Sequence, residues 1–502
     1  MRPDLSSRAL LSALLLALLL ALTGCSSTEG EAGAESQPLN IVLFVVDDLG
    51  WKDAAVLGSE FYDTPAIDAL AAAGVRFTRF YSASPVCSPT RASLMTGRHP
   101  ARVAITNWIG GEQRGELLQA DYLRHLPLEE ITIGEAFGRA GYATGYIGKW
   151  HLGAEDEFLP GAQGFEWTSA VNRAGQPGSY FPPYRNPDWP ITDVPGLEGD
   201  STDAYLTDRL TDRAIGFLEE HHDQPFLLVL SHYAVHTPLQ ARDEDAGPFR
   251  ERAGAFEPLE GGPTESESGR STTRLTQEHA VYAGMIASVD RSLSRVTGAL
   301  DSLGVAGRTA IVFVSDNGGL STLAGDRGES APTANRPLRA GKGWLYEGGI
   351  RIPLIIRWPG ADAAQDGTTS GVPAMTTDLF PTLLSMAGLP PVADRPLDGV
   401  SLAGLVSGES EAVEERDLFW HFPHYHGSGN RPGGAILSGD LKLVEWFEDG
   451  GMELYDLAAD PGESVDLFDT EPAAAEDLHA RLAGWRDSIG ASMPRPNPDW
   501  NP

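Results

Sequence analysis

Six consecutive apolar residues at 41–46, Ile-Val-Leu-Phe-Val-Val, constrain the fold of this chain more than any other feature of its sequence. A run that is apolar throughout and rich in β-branched residues is typical of a strand buried on both faces. Comparable runs lie at 142–147, 226–230, 310–314 and 352–356. Helical patterns separate them, including one that opens at Thr64-Pro65, a capping box at Thr132-x-x-Glu135 and apolar faces within 206–217 and 282–300. The alternation predicts an α/β fold with a large, mostly parallel central sheet covered by helices on both sides.

The chain changes character after residue 408. Short strand-like segments at 418–422, 435–437, 442–447 and 452–457 are separated by turn residues, and a last helix is predicted over 473–487. We therefore expect a large domain at 39–408 and a small C-terminal antiparallel sheet with a helix at 409–502. Two long stretches, 163–200 and 243–274, show no regular pattern. Both are predicted as irregular loops of the kind that often binds ligands, with disorder left open as the alternative for the second.

The first 38 residues have the features of an export signal followed by a linker. Arg2 and Arg8 precede a long Leu/Ala run that ends at Leu22-Thr23-Gly24-Cys25. These four residues resemble the bacterial lipobox, which implies a lipoprotein signal peptide at 1–24 and lipidation of the Cys25 thiol. An uncleaved membrane anchor is the alternative. Residues 25–38, rich in Ser, Glu, Gly and Ala, are predicted as a flexible tether. We therefore expect an exported lipoprotein of the bacterial cell envelope, anchored at Cys25 on the periplasmic side or at the cell surface.

Charge and cysteine content narrow the range of partners. The chain carries 37 Lys and Arg against 70 Asp and Glu, a net charge of −33. This balance argues against nucleic acid or an anionic membrane surface, so we expect membrane contact only through the N-terminal lipid anchor. An anionic substrate would need a local cationic pocket. With Cys25 lipidated, Cys87 has no disulfide partner in an oxidising compartment, which favours a chemical role for it over a structural one.

Acidic residues follow two of the predicted strands. Asp47-Asp48 comes directly after the run at 41–46, and Asp316-Asn317-Gly-Gly follows 310–314. In open α/β sheets, ligands bind beyond the carboxyl ends of the strands. Two carboxylates brought together there repel each other unless a cation lies between them. An all-oxygen donor set suits Ca²⁺ or Mg²⁺ better than zinc, so the sequence predicts a site for a hard cation.

Cationic side chains and one cysteine occupy comparable positions. Cys87-Ser-Pro-Thr-Arg91 opens a short helical pattern that Gly97 can end, and it places an arginine one turn from a cysteine at a helix N-terminus. Such an arrangement favours anion binding, although a small buried cysteine near a surface arginine is the alternative. The other candidates are Lys149 and His151 after 142–147, His236 and His232 after 226–230, and Lys342 before Glu347-Gly-Gly-Ile-Arg351.

Together these motifs resemble the type I sulfatase family over nearly the whole mature chain. The resemblance rests on Asp47-Asp48, Cys87-x-Pro-x-Arg91, Gly141-Tyr-x-Thr-x-x-x-Gly-Lys149-x-His151, His236-x-Pro and Asp316-Asn317-Gly, in that order. It implies an alkaline-phosphatase-like sandwich, a sulfatase catalytic domain at 39–408, and oxidation of Cys87 to 3-oxoalanine (formylglycine) by a separate maturation enzyme. It also implies one Ca²⁺ ion bound by Asp47, Asp48, residue 87, Asp316 and Asn317, with the substrate sulfate surrounded by Arg91, Lys149, His151, His236 and Lys342.

The same resemblance implies a role for each group. The hydrated aldehyde at position 87 would attack sulfur, with Asp316 as proton acceptor and Arg91 holding the hydrate in its reactive form. Lys149 and Lys342 would stabilise charge on the sulfuryl oxygens. His236, together with Lys342, would protonate the leaving oxygen, and His151 would deprotonate the second hydroxyl so that sulfate leaves.

Rival functions differ in the residues that they require. A two-zinc phosphatase or phosphodiesterase of related fold needs an Asp-His pair where this chain has Asp316-Asn317, which disfavours it. A formylglycine-dependent phosphonate or phosphate monoester hydrolase uses the same groups and stays open. A catalytically inactive glycan-binding lipoprotein is the third alternative, although none of the expected metal ligands or catalytic cations is missing from the sequence.

The expected substrate is a sulfated carbohydrate. Residues 420–434 are dense in hydrogen-bonding and aromatic groups, which suits sugar binding, although a loop that packs the small sheet onto the large domain explains them equally well. Similar runs in bacterial relatives of galactose and N-acetylgalactosamine sulfatases imply a sulfated galactan, a carrageenan-like glycan or a glycosaminoglycan. The candidate sugar contacts are Asn107, Trp108, His232, His424 and Arg431.

Overall fold

The computed structural model describes residues 38–197, 199, 201–255, 262–393 and 395–501. The predicted signal peptide, the lipidated Cys25 and all but the last residue of the tether lie outside the described residues, so these features stay predictions. Within the described part of the chain, no helix combines the length and the apolar character that crossing a membrane requires.

The chain alternates strands and helices up to about residue 386 and then forms a separate run of strands. The strands are β1 (Asn40–Val46), β2 (Val75–Phe77), β3 (Phe80–Tyr81), β4 (Leu117–Leu118), β5 (Ala143–Gly148), β6 (Trp167–Ser169), β7 (Phe226–Ser231), β8 (Thr264–Glu267), β9 (Ser271–Arg274), β10 (Thr309–Ser315), β11 (Thr322–Ala324), β12 (Leu354–Arg357), β13 (Thr369–Ser370), β14 (Ala374–Met375), β15 (Leu418–Phe422), β16 (Gly433–Ser438), β17 (Leu441–Trp446), β18 (Met452–Asp456) and β19 (Arg495–Pro496). The α-helices are α1 (Pro65–Ala72), α2 (Cys87–Thr96), α3 (Pro100–Val103), α4 (Ile133–Arg139), α5 (Leu206–His221), α6 (Asp243–Ala253), α7 (Ala280–Ser302), α8 (Glu347–Ile350), α9 (Leu379–Met386), α10 (Ala403–Ser407) and α11 (Pro472–Ile489).

Eight strands form the central sheet in the order β13-β2-β12-β10-β1-β7-β5-β6. All of them run in one direction except β12, which is antiparallel to both of its neighbours. The predicted α/β class with a mostly parallel sheet is therefore confirmed. The reversed direction of β12 was not predicted, because a run that is apolar throughout gives burial on two faces but no strand direction.

The burial of the central strand β1 on both faces explains why its run at 41–46 is apolar throughout. Val42, Phe44 and Val46 enter one hydrophobic cluster, which also contains residues of α1, α5 and α7. Ile41, Leu43 and Val45 point the other way into a second cluster with residues of α2, α4 and α9. Because side chains alternate along a strand, helices on both faces leave positions 41–46 of β1 to apolar residues, and the one polar residue of the strand, Asn40, lies at its start.

The prediction of an irregular loop at 243–274 is wrong for the described residues. This stretch contains helix α6 and the strands β8 and β9, and β9 also pairs with β11. Helix α6 has three acidic residues in its first turn and two arginines in its last, which complement the helix dipole. It buries few apolar residues, so its sequence lacks the periodicity by which the other helices were predicted.

The C-terminal sheet has the predicted antiparallel order β15-β16-β17-β18. One face joins an aromatic cluster with the large domain, including Trp344 and Tyr346 from the large domain and Trp420 and Trp446 from the sheet. The other face packs against helix α11. The small sheet is thus covered on both sides, which explains why β16 and β17 are buried at consecutive positions rather than at every second one.

A buried ion cluster also fastens this sheet to the large domain. Lys442 of β17 donates to Glu347 Oε1 at 3.0 Å and to Glu463 Oε1 at 2.8 Å, and all three side chains are fully buried. Tyr81 donates to the other oxygen of Glu347 at 3.0 Å. Burial raises the pKa of Glu463 to about 7, against the opposing effect of Lys442. Breaking such a cluster leaves an uncompensated buried charge, so its members depend on one another.

We expect the stability of the wild-type protein to fall, relative to an E463Q variant, between about pH 5 and about pH 8. The carboxyl group has an ordinary pKa of 4.5 and a folded-state pKa of about 7. The folded state therefore holds an extra proton in this window, and the stabilisation that is present at low pH is lost as the pH rises through 7. Urea unfolding of both proteins across the range measures the difference. A constant gap in the free energy of unfolding would contradict the raised pKa.

Candidate active site

The carboxyl ends of four neighbouring strands bring the predicted site residues together. Asp47 and Asp48 follow β1, and Asp316 and Asn317 follow β10, the strand paired with it. On the other side of β1, Ser231 ends β7, and Lys149 follows β5. All of these side chains are buried. The predicted convergence at the sheet edge is what the structure shows, since parallel strands end on the same side.

Cys87 is the first residue of helix α2 and lies at the floor of the site. The helix starts two residues before Pro89. Gly97, which adopts a positive φ of 67°, follows its last residue. A ligand atom from each of Cys87, Asp47 and Asp316 lies within 4.8 Å of the other two. Burial raises the pKa of the Cys87 thiol, and Lys149 and Lys342 oppose that shift. An unmodified thiol here is therefore not activated as a thiolate nucleophile.

Arg91, one turn further along α2, organises the floor. Its Nε donates to Asp316 Oδ2 at 2.8 Å, and its Nη2 lies 2.8 Å from the same oxygen. Its Nη1 donates to the Lys149 carbonyl and to the Ser231 hydroxyl, each at 2.7 Å. One guanidinium thus connects α2 to the ends of three strands, which fixes Asp316 in place.

The other two carboxylates each face a lysine. Lys149 donates to Asp47 at 2.6 Å, and Lys342 lies 2.6 and 2.8 Å from the two oxygens of Asp48. Burial dominates at Asp47 and raises its pKa well above the ordinary value. At Asp48, burial also works to raise the pKa, but the charges of the neighbouring lysines, Lys342 foremost, outweigh it and the pKa is lowered. The site therefore holds a dense, paired set of charges, each of which depends on its partner.

Two oxygen atoms at the floor are buried without a hydrogen-bond partner among the described residues. They are Asp47 Oδ1 and Asn317 Oδ1. The Asn317 amide nitrogen donates to Asp48 Oδ1 at 2.8 Å, so its carbonyl oxygen points away from that contact. Unpartnered buried oxygens are costly, and together with Asp48 and Asp316 they form the donor set that Ca²⁺ prefers. The residues present therefore fit a calcium ion.

The two histidines of the site differ in tautomer. His151 Nε2 lies 3.1 Å from the Ile109 carbonyl, so Nε2 carries the proton and the buried Nδ1 is an acceptor. His236 Nδ1 lies 2.9 Å from the Thr237 carbonyl, which leaves Nε2 as the acceptor, 3.7 Å from Asp48 Oδ2. Burial lowers the pKa of both side chains, to about 3 for His236, where Lys342 adds to the effect. Both rings are neutral before an anion binds.

Above the floor, a cleft of about 770 Å³ opens to the surface. Asp48, Cys87, His151, His236 and Lys342 line its base. Its walls come from parts of the chain that are distant in sequence. They include Trp108, Gln113, Arg124, Arg173, Trp189, Leu323, Arg327 and His426.

The five candidate sugar contacts differ in whether they line the cleft. Trp108 lines the cleft, and Asn107 lies behind it, with Asn107 Oδ1 accepting from the Trp108 backbone at 2.9 Å. The expectation for Asn107 and for the other three is corrected, because none of these four lines the cleft. His232 lies in the core against Phe44, and its Nε2 forms a hydrogen bond of 2.9 Å with the Ser292 hydroxyl. His424 bonds Thr106 at 2.8 Å, and Arg431 packs over the ring of Trp446.

His426 is a cleft residue that the sequence interpretation missed. The Ser428 backbone N–H donates to His426 Nδ1 at 3.2 Å, and the Ser428 hydroxyl lies 3.0 Å away. Because a backbone N–H can only donate, Nδ1 is the acceptor and Nε2 carries the proton. Burial, together with the charge of Lys342, lowers the pKa of His426 to about 3. The signal lay in the run at 420–434, but sequence alone did not distinguish His426 from His424, two residues earlier.

Comparison with known proteins gives a consistent result. The family described as Sulfatase matches residues 39–389, and the family described as N-sulphoglucosamine sulphohydrolase, C-terminal, matches residues 340–487. The N-acetylgalactosamine-6-sulfatase of Mus musculus is 32% identical over 454 residues, covering 86% of this chain and 77% of the relative. A sulfatase of Formosa agariphila is 30% identical over 553 aligned positions, covering 95% of this chain and 93% of the relative.

Solved structures share the fold over nearly the whole chain. The structure described as Ps i-CgsB in complex with k-i-k-neocarrahexaose is 28% identical, with a TM-score of 0.72, and covers 92% of this chain and 95% of that one. The phosphonate monoester hydrolase of Agrobacterium radiobacter has a TM-score of 0.61 at 21% identity over 91% of this chain and 97% of that one, a similarity of fold alone.

We expect Ca²⁺ to raise the thermal unfolding midpoint of the wild-type protein and to have little effect on an N317S variant. A cation that binds only the folded state stabilises it by about 2.7 kcal/mol at a hundredfold excess over its Kd, and N317S removes one of the unpartnered oxygens. The matched control is N40S, a buried asparagine at the opposite end of β1 that bonds Thr309. Its calcium shift should equal that of the wild type. Equal calcium-dependent shifts of the unfolding midpoint in N317S and the wild type would contradict the proposed calcium site.

Proposed function

Because this chain belongs to the sulfatase family and is a sulfuric ester hydrolase, we propose that it removes O-sulfate from a sulfated carbohydrate and releases inorganic sulfate. The observation that carries the proposal is the floor of the cleft, where Cys87 lies among three paired carboxylates, two lysines and Arg91. A tetrahedral anion that enters the cleft meets Lys342 at its base, where Asp48 is the one acidic residue among those described and is already paired.

We further propose that Cys87 is oxidised to formylglycine by a separate maturation enzyme and that one Ca²⁺ ion is bound by Asp47, Asp48, residue 87, Asp316 and Asn317. The hydrated aldehyde supplies a hydroxyl nucleophile, and the cation supplies positive charge beside it. The raised pKa of the unmodified thiol supports the modification, because a buried, protonated thiol is a poor nucleophile. The two unpartnered oxygens support the cation.

Other residues at the floor would transfer protons and stabilise negative charge. Asp316, held by Arg91, is positioned to accept a proton from the side chain at position 87. Lys149 and Lys342 lie at the floor, where sulfate oxygens would bind. His151 offers an unprotonated Nδ1 as a base. His236 offers Nε2 toward the same space, and a bound anion would favour its protonation before the leaving oxygen departs.

The carbohydrate assignment is supported by the walls of the cleft. Trp108 and Trp189 provide flat apolar surfaces of the kind on which sugar rings stack, and His426 directs an N–H into the same space. Among the similar proteins, one is described as an N-acetylgalactosamine-6-sulfatase and another as a complex with a neocarrahexaose. We therefore propose a sulfated galactan, a carrageenan-like glycan or a glycosaminoglycan as the substrate. An exported lipoprotein of the cell envelope would meet such polymers outside the cytoplasm.

The proposed function is tested by sulfate release together with the mass of the peptide that contains Cys87. We expect release of sulfate from at least one sulfated saccharide, a peptide mass that shows the aldehyde, and loss of activity in a C87A variant. Aryl phosphate and aryl phosphonate are control substrates, and they should be turned over more slowly than aryl sulfate. Full activity with an unmodified Cys87 thiol would contradict the proposed formylglycine chemistry. Faster phosphonate turnover would favour the phosphonate hydrolase instead.

Replacing His426 with alanine should raise the KM for the carbohydrate sulfate by about threefold to tenfold, the range for one lost hydrogen bond. The turnover of a small aryl sulfate should change little, because that substrate has no sugar hydroxyl for Nε2–H to bind. The control variant is S428A, which keeps the backbone N–H that sets the tautomer of His426. An equal loss of kcat on both substrates in H426A would show that His426 acts on the sulfate itself.

A further inference from the structure

We propose that Arg327, assisted by Arg173, forms a second anion site on the wall of the cleft, which binds a sulfate or carboxylate group on a sugar next to the one that loses its sulfate. The inference rests on the proposed function, since it takes the cleft as the site of the carbohydrate. It adds a requirement that the floor alone does not impose. The preferred substrate carries at least one further negative charge.

The sign of the charge in the cleft is the first observation. Among the described residues, four cationic side chains line it, Lys342 at the base and the rim arginines Arg124, Arg173 and Arg327 on the walls. Within the same part of the chain, the single acidic residue of the lining is Asp48, whose carboxylate is already bound by Lys342 and Asn317. The chain as a whole has a net charge of −33. A local reversal of sign on such a background attracts anions to this cleft and repels them elsewhere.

The rim arginines also come from three separate parts of the chain. Arg124 lies between α3 and α4, Arg173 follows β6, and Arg327 follows β11. A solvated helix face would carry its arginines on one element, whereas these converge on one space only through the tertiary fold. Apolar side chains such as Trp189 and Leu323 share the same walls, and an apolar surrounding strengthens a charge-assisted hydrogen bond.

The existing partners of the rim arginines identify Arg327 as the principal residue. Arg124 pairs with Glu112 at 2.6 Å, and Arg173 bonds both Asp156 and the Ala154 carbonyl. Arg327 donates from Nε to the Ala324 carbonyl at 3.1 Å, and within the described part of the chain it has no carboxylate at ion-pair distance. Its terminal nitrogens are therefore available for a ligand. The partner of Arg173 is an exposed aspartate, and such a surface pair exchanges readily for a better anion.

The site is distinct from the place of the sulfate that is cleaved. That sulfate must lie beside Cys87, Lys149 and Lys342, all of which are buried. Arg327, by contrast, is exposed and lines the same cleft. The volume of about 770 Å³ leaves room beyond one sugar ring. An oligosaccharide held at the floor would therefore extend toward the rim arginines.

The test compares R327Q and R327K with the wild type on three probes. D-Galactose 6-sulfate carries one anion, an ι-carrageenan hexasaccharide carries sulfates on neighbouring sugars, and a chondroitin 6-sulfate hexasaccharide carries carboxylates there. Binding is measured by calorimetry, and sulfate release gives KM and kcat. We expect R327Q to weaken binding of at least one hexasaccharide about fivefold to tenfold, with the monosaccharide unchanged and partial recovery in R327K. The salt dependence of hexasaccharide binding should also become shallower.

The matched control is R139Q, because Arg139 is an exposed arginine on α4 that does not line the cleft. It should bind all three probes like the wild type. A loss confined to the carrageenan probe assigns sulfate as the second anion, and a loss confined to the chondroitin probe assigns carboxylate. No loss on either hexasaccharide, or an equal loss on the monosaccharide, overturns the second site. If no probe releases sulfate, the proposed function fails, while the calorimetric comparison still decides the anion site.

Discussion

The pairing of three buried carboxylates with three buried cations is the constraint on which the site depends. Asp47, Asp48 and Asp316 face Lys149, Lys342 and Arg91, respectively. Removing one member of such a pair typically costs about 3–5 kcal/mol, whereas apolar replacements of both members are often neutral or stabilising. The cluster is therefore poorly explained by stability. It is explained by a function that needs fixed charges in a place where water is excluded.

This balance of charge determines what can enter. Each of the three carboxylates is paired with a cation, so a bound Ca²⁺ ion would add positive charge to the floor that attracts a sulfate ester. The neutral state of His151 and His236 follows from the same environment, because burial and the neighbouring lysines both oppose protonation. A bound anion would favour protonation of His236. The floor thus selects its ligand by charge, and the walls of the cleft select it by shape and hydrogen bonding.

The sequence predicted the parts that depend on local pattern. Buried strands are apolar throughout, and polar residues at their carboxyl ends stand out against that background, so the floor from Asp47 to Lys342 could be predicted. The direction of β12 could not be predicted, because an apolar run carries no information on strand direction. Helix α6 could not, because it buries few apolar residues and so leaves no periodic signal. The walls were predicted poorly for a related reason. Arg327 and His426 reach the cleft only through tertiary packing, and His232, His424 and Arg431 are of equally suitable types but point elsewhere.

The contact between the C-terminal sheet and the loop that carries Glu347 limits where proteins of this architecture can recombine. Glu347 belongs to the segment that begins with Lys342, and it is bonded to Lys442 of the C-terminal sheet. Glycines pack this segment against the strand ends, since a Cβ on Gly318 would overlap the Gly348 carbonyl. The C-terminal sheet is therefore not an interchangeable module. A recombination point placed at residue 408 would separate Lys442 from the loop that it supports, so this loop and the sheet are expected to be inherited together.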